Sequence, residues 1–314
     1  MPKVSVVITT YNYRRFLAEA IQSVLEQTFT DFELIIVDDG STDNTREAVD
    51  NFKDQRIKYI YQEHRGGNVA RNVGLSISTG KYIAFLDADD IWLPEKLEMQ
   101  VSLLDSSPDV ALVCSDFYRF DDQSGTILNR AWENRQVDPK RALNLLLSES
   151  AFAVTSTVLI RTDVITEVGG WDESLNIGQD WELFVRIARN FAFEAIHTPL
   201  VKKRQHDARL SSDWEFRYLN FPITLNKVIN TYPLSTADRR AIKRRLASVH
   251  HTYATYLALD NRITLSRKQF ITSIKVDPRY IKPYIYLLAS FLGRSTIVIL
   301  GSCRRRLERY ATWI

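Results

Sequence analysis

Residues Lys81–Asp90 read KYIAFLDADD, and the reading of that stretch decides the fold. Five apolar, β-prone residues, Tyr82 to Leu86, run directly into Asp87, Asp89 and Asp90. An uninterrupted apolar run of this length predicts a strand buried on both faces. Asp87 and Asp89 stand two apart, so an extended backbone turns both the same way. Carboxylates that close repel, and each raises the pKa of the other unless a cation neutralises them. An oxygen-only set favours Mg2+ or Mn2+ over zinc. The plain alternative is that the acids only cap the next helix. Asp90 is assigned that part, ahead of a helix predicted over Ile91–Leu104 with Pro94 in its first turn.

Three more apolar runs precede this one, Val4–Thr9, Phe32–Val37 and Ile57–Tyr61, and each reads as a strand. Phe16, Leu17, Ala20, Ile21, Val24 and Leu25 recur with helical spacing between the first two. Thr42 or Asp43 is placed to cap a helix through Ala48 and Phe52. VARNVGLSIS, Val69–Ser78, has helical character before the fourth strand. Strand and helix alternating at about 25 to 30 residues per unit mean βαβ crossovers and a mostly parallel sheet. Such sheets bind ligands at the carboxyl ends of their strands. Thr9, Thr10, Tyr11, Asn12, Asp38, Asp39, Gly66, Gly67, Arg71, Asp87 and Asp89 all fall there. Each alone is an ordinary turn residue. Four strands ending this way along one edge read as a site.

Val110–Phe117, Val154–Ile160 and Phe193–His197 read as further strands. DDQSGTILNRAWENRQ, residues 121–136, is a polar excursion of hairpin character, expected over the site. Gly169 and Gly170 form a tight turn, and Asp180 opens a helix whose apolar side is Leu183, Phe184 and Ile187. KKRQH, ending at His206, brings a cluster of cations. From Ser212 the pattern turns helical, most clearly over Phe216–Tyr232 and Ala237–Leu259. His250–Pro278 faintly resembles one tetratricopeptide unit, but one unit cannot bury its own face, so a plain helical hairpin is expected.

The 314 residues, 45% hydrophobic and 25% charged, suit one α/β domain with an appendage. The expected division is 1–211 and 212–314. No charged leader with an apolar run precedes the first strand, so no signal peptide is expected. Cys114 and Cys303 form no ligand motif, and a reducing, cytoplasmic setting fits them. The net charge is +3, yet residues 275–314 carry eight Lys/Arg and two acids, leaving the rest of the chain at −3. An acidic body argues against nucleic acid as partner.

VSVVITTYN, ELIIVDDGSTDNT, ARNVGL, YIAFLDADD, GGWDESL and QDWELFVRI, in this order, resemble the inverting glycosyltransferases of family 2. The resemblance covers residues 3 to 211. It implies a GT-A fold, a nucleotide-binding parallel sheet joined to an acceptor-binding portion, and a nucleotide-diphosphate-sugar donor. By matching motif it implies that Thr10, Tyr11, Asn12 and Asp39 line the base and ribose pocket, Asp39 accepting from a base N–H as uracil offers. It implies that Arg71 lies near the diphosphate, that Asp89 ligates the metal with Asp87 reaching it or the ribose, and that His206 stands near both. Asp180 stands where the family keeps its catalytic base, and Trp171, Asp172 and Trp181 are candidate acceptor or sugar contacts. The chain has Gln179-Asp180 where members often have Glu-Asp, so the like charge that would raise the Asp180 pKa is missing. Glu182 competes as base, but lies about 200° round the helix from Asp180.

Two rivals stand against this. A phosphohydrolase using the first Asp of D-x-D as nucleophile would place the motif on its first strand, not its fourth. A nucleotide-sugar-binding module without turnover would not need Asp89 and Asp180. The tail adds a last expectation. Lys282–Cys303 is nearly long enough to span a bilayer, but Gly293 and Arg294 interrupt it. It is expected either to pack as protein or to lie in an anionic membrane surface with the Arg304–Arg309 cluster on headgroups, peripheral at the inner face. The resemblance implies a glycan or lipid-linked acceptor, and the membrane placement suits the lipid-linked one; oligomeric state is not legible.

Overall fold

The computed structural model describes residues 1–133, 137–148, 152–206, 213–292, 296, 297 and 300. Two units emerge: 1–143 with 152–174 and 179–209, and 144–151 with 175–178 and 210–314. In the first, four parallel strands lie in the order β3-β2-β1-β4, with β1 Val4–Thr10, β2 Phe32–Asp38, β3 Ile57–Tyr61 and β4 Tyr82–Asp87. Val6, Val7, Ile8, Leu34, Ile35 and Ile36 are fully buried, as runs without polar alternation require. Register decides what this sheet presents. Thr10 pairs with Asp38 and Thr9 with Asp87, so three strands end their hydrogen bonding at one level.

Helices α1 (Arg14–Leu25), α2 (Thr45–Asp50) and α3 (Gly67–Ile77) make the crossovers. α3 lies so close to β1 that a Cβ on Gly74 would meet Val7 Cγ1 at 2.4 Å. Neither Thr42 nor Asp43 caps α2. Asn44 does, in the left-handed region at φ 60°, without a side-chain bond. Asp43 is drawn away by the Arg14 N–H and the Thr45 hydroxyl, both of which donate to it.

The rest of the sheet departs from expectation in instructive ways. Ile91–Trp92 is not helical but forms a short strand, β5, and α4 runs only over Lys96–Ser106. Pro94 disfavours helical backbone at Leu93, whose N–H donates to Leu200 O instead. Thr155–Thr157 is a 3-10 turn, so the strand expected from Val154 is β8, Val158–Arg161. β6, Val110–Asp121, forms a hairpin with β7, Ile127–Arg130. The last strand, β9, is much longer than predicted, Ala192–Gln205, because its cationic end pairs residue for residue with β6 from Phe117↔Val201 onward. The full order is β3-β2-β1-β4-β8-β6-β9-β5, with α6 (Thr162–Glu167) and α7 (Gln179–Ala188) between β8 and β9.

Lys96 is fully buried, its Nζ 2.7 Å from Gln100 Oε1 and 3.9 Å from the Trp92 ring centroid. Burial lowers its pKa well below the ordinary lysine range. Cys114 is buried too, and burial pushes its thiol up, as an inert core residue requires. Cys303 lies outside the described residues.

The second unit takes most of α5 (Ala142–Ser148) and the helices α8 (Trp214–Thr231), α9 (Thr236–Leu259), α10 (Ile263–Val276) and α11 (Lys282–Phe291). Asp213 caps α8 by accepting from Phe216 N–H, and Ser235 caps α9 by accepting from Asp238 N–H. α9 and α10 form a close hairpin, sealed where the buried Ser266 and Ser273 hydroxyls donate to Ala254 O and Ala247 O. Among the described residues no helix is long and apolar enough to cross a membrane. Arg304–Arg309 lie outside them.

Candidate active site

Two loops at the carboxyl ends of β1 and β2 are tied into one surface. Asn12, at φ 56°, accepts from Thr42 N–H and gives its own N–H to Ser41 Oγ. Asparagine tolerates that left-handed backbone better than most residues. Thr10 is buried and its carbonyl accepts from Asp39 N–H, while the Tyr11 ring projects, 42% exposed. That ring is already stacked on His64, with centroids 3.9 Å apart and planes 21° apart. Asp39 is buried, and its oxygens accept from Gln62 Nε2, Arg65 N–H and Gly66 N–H, with His64 Nδ1 at 2.8 Å. His64 Nδ1 makes its hydrogen bond to the Asp39 carbonyl at 3.1 Å, so the three N–H donors leave an acceptor site on the carboxylate. His64 was not singled out from sequence; it was one histidine in a turn, with no pattern to mark it.

Beyond β4 three carboxylates converge. Asp87, Asp89 and Asp90 each place an oxygen within 4.8 Å of the others. Strand alternation is not the reason. The strand stops at Asp87, and a turn closed by Asp90 N–H on Asp87 O folds Asp89 and Asp90 back beside it. Asp90, expected as a cap, is fully buried and accepts from Ser156 Oγ, Arg204 N–H and Lys203 Nζ. Burial raises its pKa; Lys203 opposes this, and the charges of Asp89 and Asp87 add to it.

β9 supplies the cations. Lys203 Nζ lies 3.3 Å from Asp90 and 3.7 Å from Asp87, and Arg204 Nε donates to Asp89 O. From α3, Arg71 donates to Asp87 at 3.0 Å while its guanidinium lies over the Trp171 ring. It does not simply face solvent. His206 Nε2 is 3.0 Å from Asp89 Oδ2, and its buried Nδ1 has no hydrogen-bond partner. An all-oxygen cluster with one imidazole bearing an unused nitrogen fits a hard divalent cation. Asp90, Lys203 and Arg204 are the members the sequence reading did not assign. KKRQH was visible as a cationic cluster, but its strand pairing was not.

Asp180, at the start of α7, is half-buried and holds its own Trp181 N–H. Burial raises its pKa; the hydrogen bond from Trp181 N–H opposes this, Asp87 adds to it, and Lys203 and Arg71 oppose it. The missing glutamate beside it is therefore not needed for the shift. Glu182 is fully buried and locked bidentate to Arg186, which also donates to Val168 O and Gly170 O. A carboxylate so held is structural. Trp171 and Trp181 are each only 2% exposed, which corrects their reading as acceptor or sugar contacts. Trp171 instead packs edge-on against Phe85 and supports Arg71, because Asn72 holds its backbone N–H and O. Asp172 caps its own turn, accepting from Ser174 N–H and Oγ.

A mostly parallel sheet with carboxylates at the ends of its strands, continued by a mixed half with C-terminal helices, is the GT-A type of α/β fold. The chain belongs to glycosyl transferase family 2, whose model matches residues 5–169. An uncharacterized glycosyltransferase of Nostoc sp. is 39% identical over 171 residues, 53% of each chain. The Escherichia coli UDP-Glc:alpha-D-GlcNAc-diphosphoundecaprenol beta-1,3-glucosyltransferase WfgD is 46% identical over 102 residues, 32% of this chain and 40% of its own. The chain thus matches roughly half of the length of these relatives, or less. Among solved structures, S. aureus TarS 1-349 in complex with UDP-GlcNAc is similar with a TM-score of 0.71 at 18% identity, over 97% of this chain and 92% of that one.

Proposed function

We propose that this chain is a metal-assisted inverting glycosyltransferase, moving a sugar from a nucleotide-diphosphate donor, a UDP-sugar, to a hydroxyl of a glycan or lipid-linked acceptor. The observation that carries this reading is the contrast between two carboxylates on α7: Glu182 is locked to Arg186, whereas Asp180 is half-buried without a cation locked to it among the described residues, its pKa raised by burial, and it senses Asp87, Lys203 and Arg71. A general base is most effective when its pKa is brought toward the working pH. The UDP-GlcNAc of the TarS complex and the UDP-Glc in the name of WfgD support a UDP donor. The latter's diphosphoundecaprenol acceptor supports a lipid-linked one, and with it a cytoplasmic chain working at the inner face of the membrane in cell-envelope glycan synthesis.

On this reading Tyr11, Asn12 and Thr10 form the wall against which the base rests, with Asp39 accepting its N–H and Asp87 reaching the ribose. Asp89, with Asp87 and His206, would hold Mn2+ or Mg2+, which when bound neutralises charge on the leaving diphosphate. Arg71 adds positive charge on the same side. Asp180 takes the proton from the acceptor hydroxyl as its oxygen attacks C1. The bond from C1 to the diphosphate oxygen breaks with its electron pair leaving on that oxygen. Attack opposite the leaving group inverts the anomeric centre, so no protein nucleophile is used. Residues 1–211 carry this chemistry and 212–314 form the C-terminal helical region.

The test is a thermal-shift screen of nucleotide-sugars with Mn2+, followed by NMR of the product made from the donor that binds. A ligand of the native state raises the melting temperature by mass action. A product that retains the donor's anomeric configuration overturns the mechanism. A donor that binds without turnover toward any acceptor supports a binding module instead.

A further inference from the structure

Helix α11 carries an uncovered apolar stripe. Ile281, just ahead of the helix, and Ile285, Leu288 and Leu292, just past it, recur at helical spacing and are 69%, 49%, 69% and 78% exposed. Tyr284 and Phe291 widen the stripe. The opposite side is the packed one, where Ala289 meets Ala258 and Ile297 and Ser290 accepts from Arg267. Exposed apolar side chains scattered singly are ordinary, but a continuous stripe along a helix marks a contact surface.

What adjoins the stripe decides its occupant. The turn from α10 into α11 forms one side of a groove of about 450 Å³, lined by Arg239, Arg240, Lys243, Val276, Asp277 and Arg279. Arg244 engages Asp277, the acid there, at 3.1 Å. Among the described residues Arg240, Lys243, Arg279 and Lys282 have no carboxylate within ion-pair distance. Arg279 of the groove and Ile281 of the stripe are two residues apart, which bounds their Cα separation at about 7 Å. Cations at one end of an apolar strip that holds no acid are the complement of an anionic lipid surface, acyl chains against the stripe and phosphates against the groove. A second copy of this face would bring like charges together, with Asp277 already engaged by Arg244.

We propose that the α9–α10 groove and the α11 stripe together form a docking surface for an anionic lipid bilayer, with headgroup phosphates received by Arg240, Lys243 and Arg279. This is separate from the basic tail at Arg304–Arg309 and does not depend on the catalytic reading.

The test is flotation of the full chain with vesicles of phosphatidylcholine alone or mixed with phosphatidylglycerol. Binding is expected to the anionic vesicles only and to fall at high salt. The variant Arg240→Glu/Lys243→Glu/Arg279→Glu is expected to bind about a hundredfold more weakly or worse, given the contribution of each basic residue at such a surface. Leu288→Asp is expected to weaken binding as well, while Arg304→Glu/Arg305→Glu/Arg306→Glu has the smaller effect. Unchanged far-UV circular dichroism and melting temperature identify folded variants, and the glutamine triple at the same three groove positions replaces the glutamate one if it does not fold. Equal flotation on neutral vesicles overturns the proposal. So does wild-type binding by the groove variant, or loss confined to the tail variant. A Leu288-dependent dimer that binds no vesicle also overturns it and assigns the face to self-association.

Discussion

His206 Nε2 lies 3.0 Å from Asp89 Oδ2, although 117 residues separate them in the chain. The imidazole thus stands at the carboxylate assigned to metal. Asp89→Ala is expected to abolish any manganese-dependent gain in melting temperature with a UDP-sugar, and His206→Ala to weaken it by about tenfold or more in metal affinity, the scale of losing a group that orients a metal ligand. Titration with EDTA and re-addition of Mn2+ measures both. A wild-type donor affinity indifferent to EDTA would falsify the metal assignment.

Asp180→Asn is expected to bind donor as the wild type does and to transfer sugar about a hundredfold more slowly, the scale of a lost general base. Only the ionised carboxylate can take a proton, so the wild-type rate falls as pH drops through the raised pKa of Asp180. The acid limb of the rate profile therefore lies above the ordinary aspartate range and disappears in the variant. Glu182→Gln should instead lower the melting temperature, because Arg186 keeps its buried charge and loses its partner. A folded, inactive Glu182→Gln beside an active Asp180→Asn reverses the assignment.

His64 lies on Tyr11 where the proposed base would rest, and it also reaches an Asp39 oxygen. His64→Ala removes a stacked pair of about 0.5–1.5 kcal/mol and clears the imidazole that stands 2.8 Å from Asp39 Oδ2. UDP is expected to bind several-fold more tightly to the variant, measured by calorimetry. Weaker binding would mean that the imidazole swings aside to become a base contact.

Glu33 lies far from this chemistry and tests the fold. Burial alone raises its pKa, but hydrogen bonds from Lys58, Ser5 and Thr79 prevail and hold it at about 2. The folded value is below the unfolded one, so its stabilisation is complete above about pH 4.5 and is lost as pH falls toward 2. Glu33→Gln should cost about 2 kcal/mol near neutral pH, as the loss of charged hydrogen bonds does. It should also flatten the acid side of the stability curve in urea titrations. A parallel curve for wild type and variant counts against the assignment.

The parallel half of the sheet was readable in the sequence because Val4–Thr9, Phe32–Val37, Ile57–Tyr61 and Tyr82–Leu86 are apolar without interruption. Burial on both faces leaves that mark directly on the chain. The other half was less so. Lys202, Lys203 and Arg204 look like loop residues, and only pairing with Tyr118, Arg119 and Phe120 makes them strand. The site followed the same division. Asp87 and Asp89 stood out by position and Asp180 by the family motif that it resembles, whereas the role of Asp90 needed its partners Ser156, Lys203 and Arg204. The tryptophans misled because an aromatic beside acids looks the same in sequence whether it faces solvent or the core.

The long strand β9 has a consequence in time. The partners of Asp90 on that strand lie 113 and 114 residues further along the chain, and β5 also waits for Val201 and Lys202. At about 5–20 residues per second a ribosome needs on the order of ten seconds to reach them after Asp90 emerges. During that interval the nascent Asp87–Asp90 turn has no β9 cations and its carboxylates stay hydrated. Contacts this remote in sequence form late and set a slow folding rate. The acidic centre therefore closes after the four parallel strands have been made, and a growing chain holds the loops after β1 and β2 before it holds the closed Asp87–Asp90 turn.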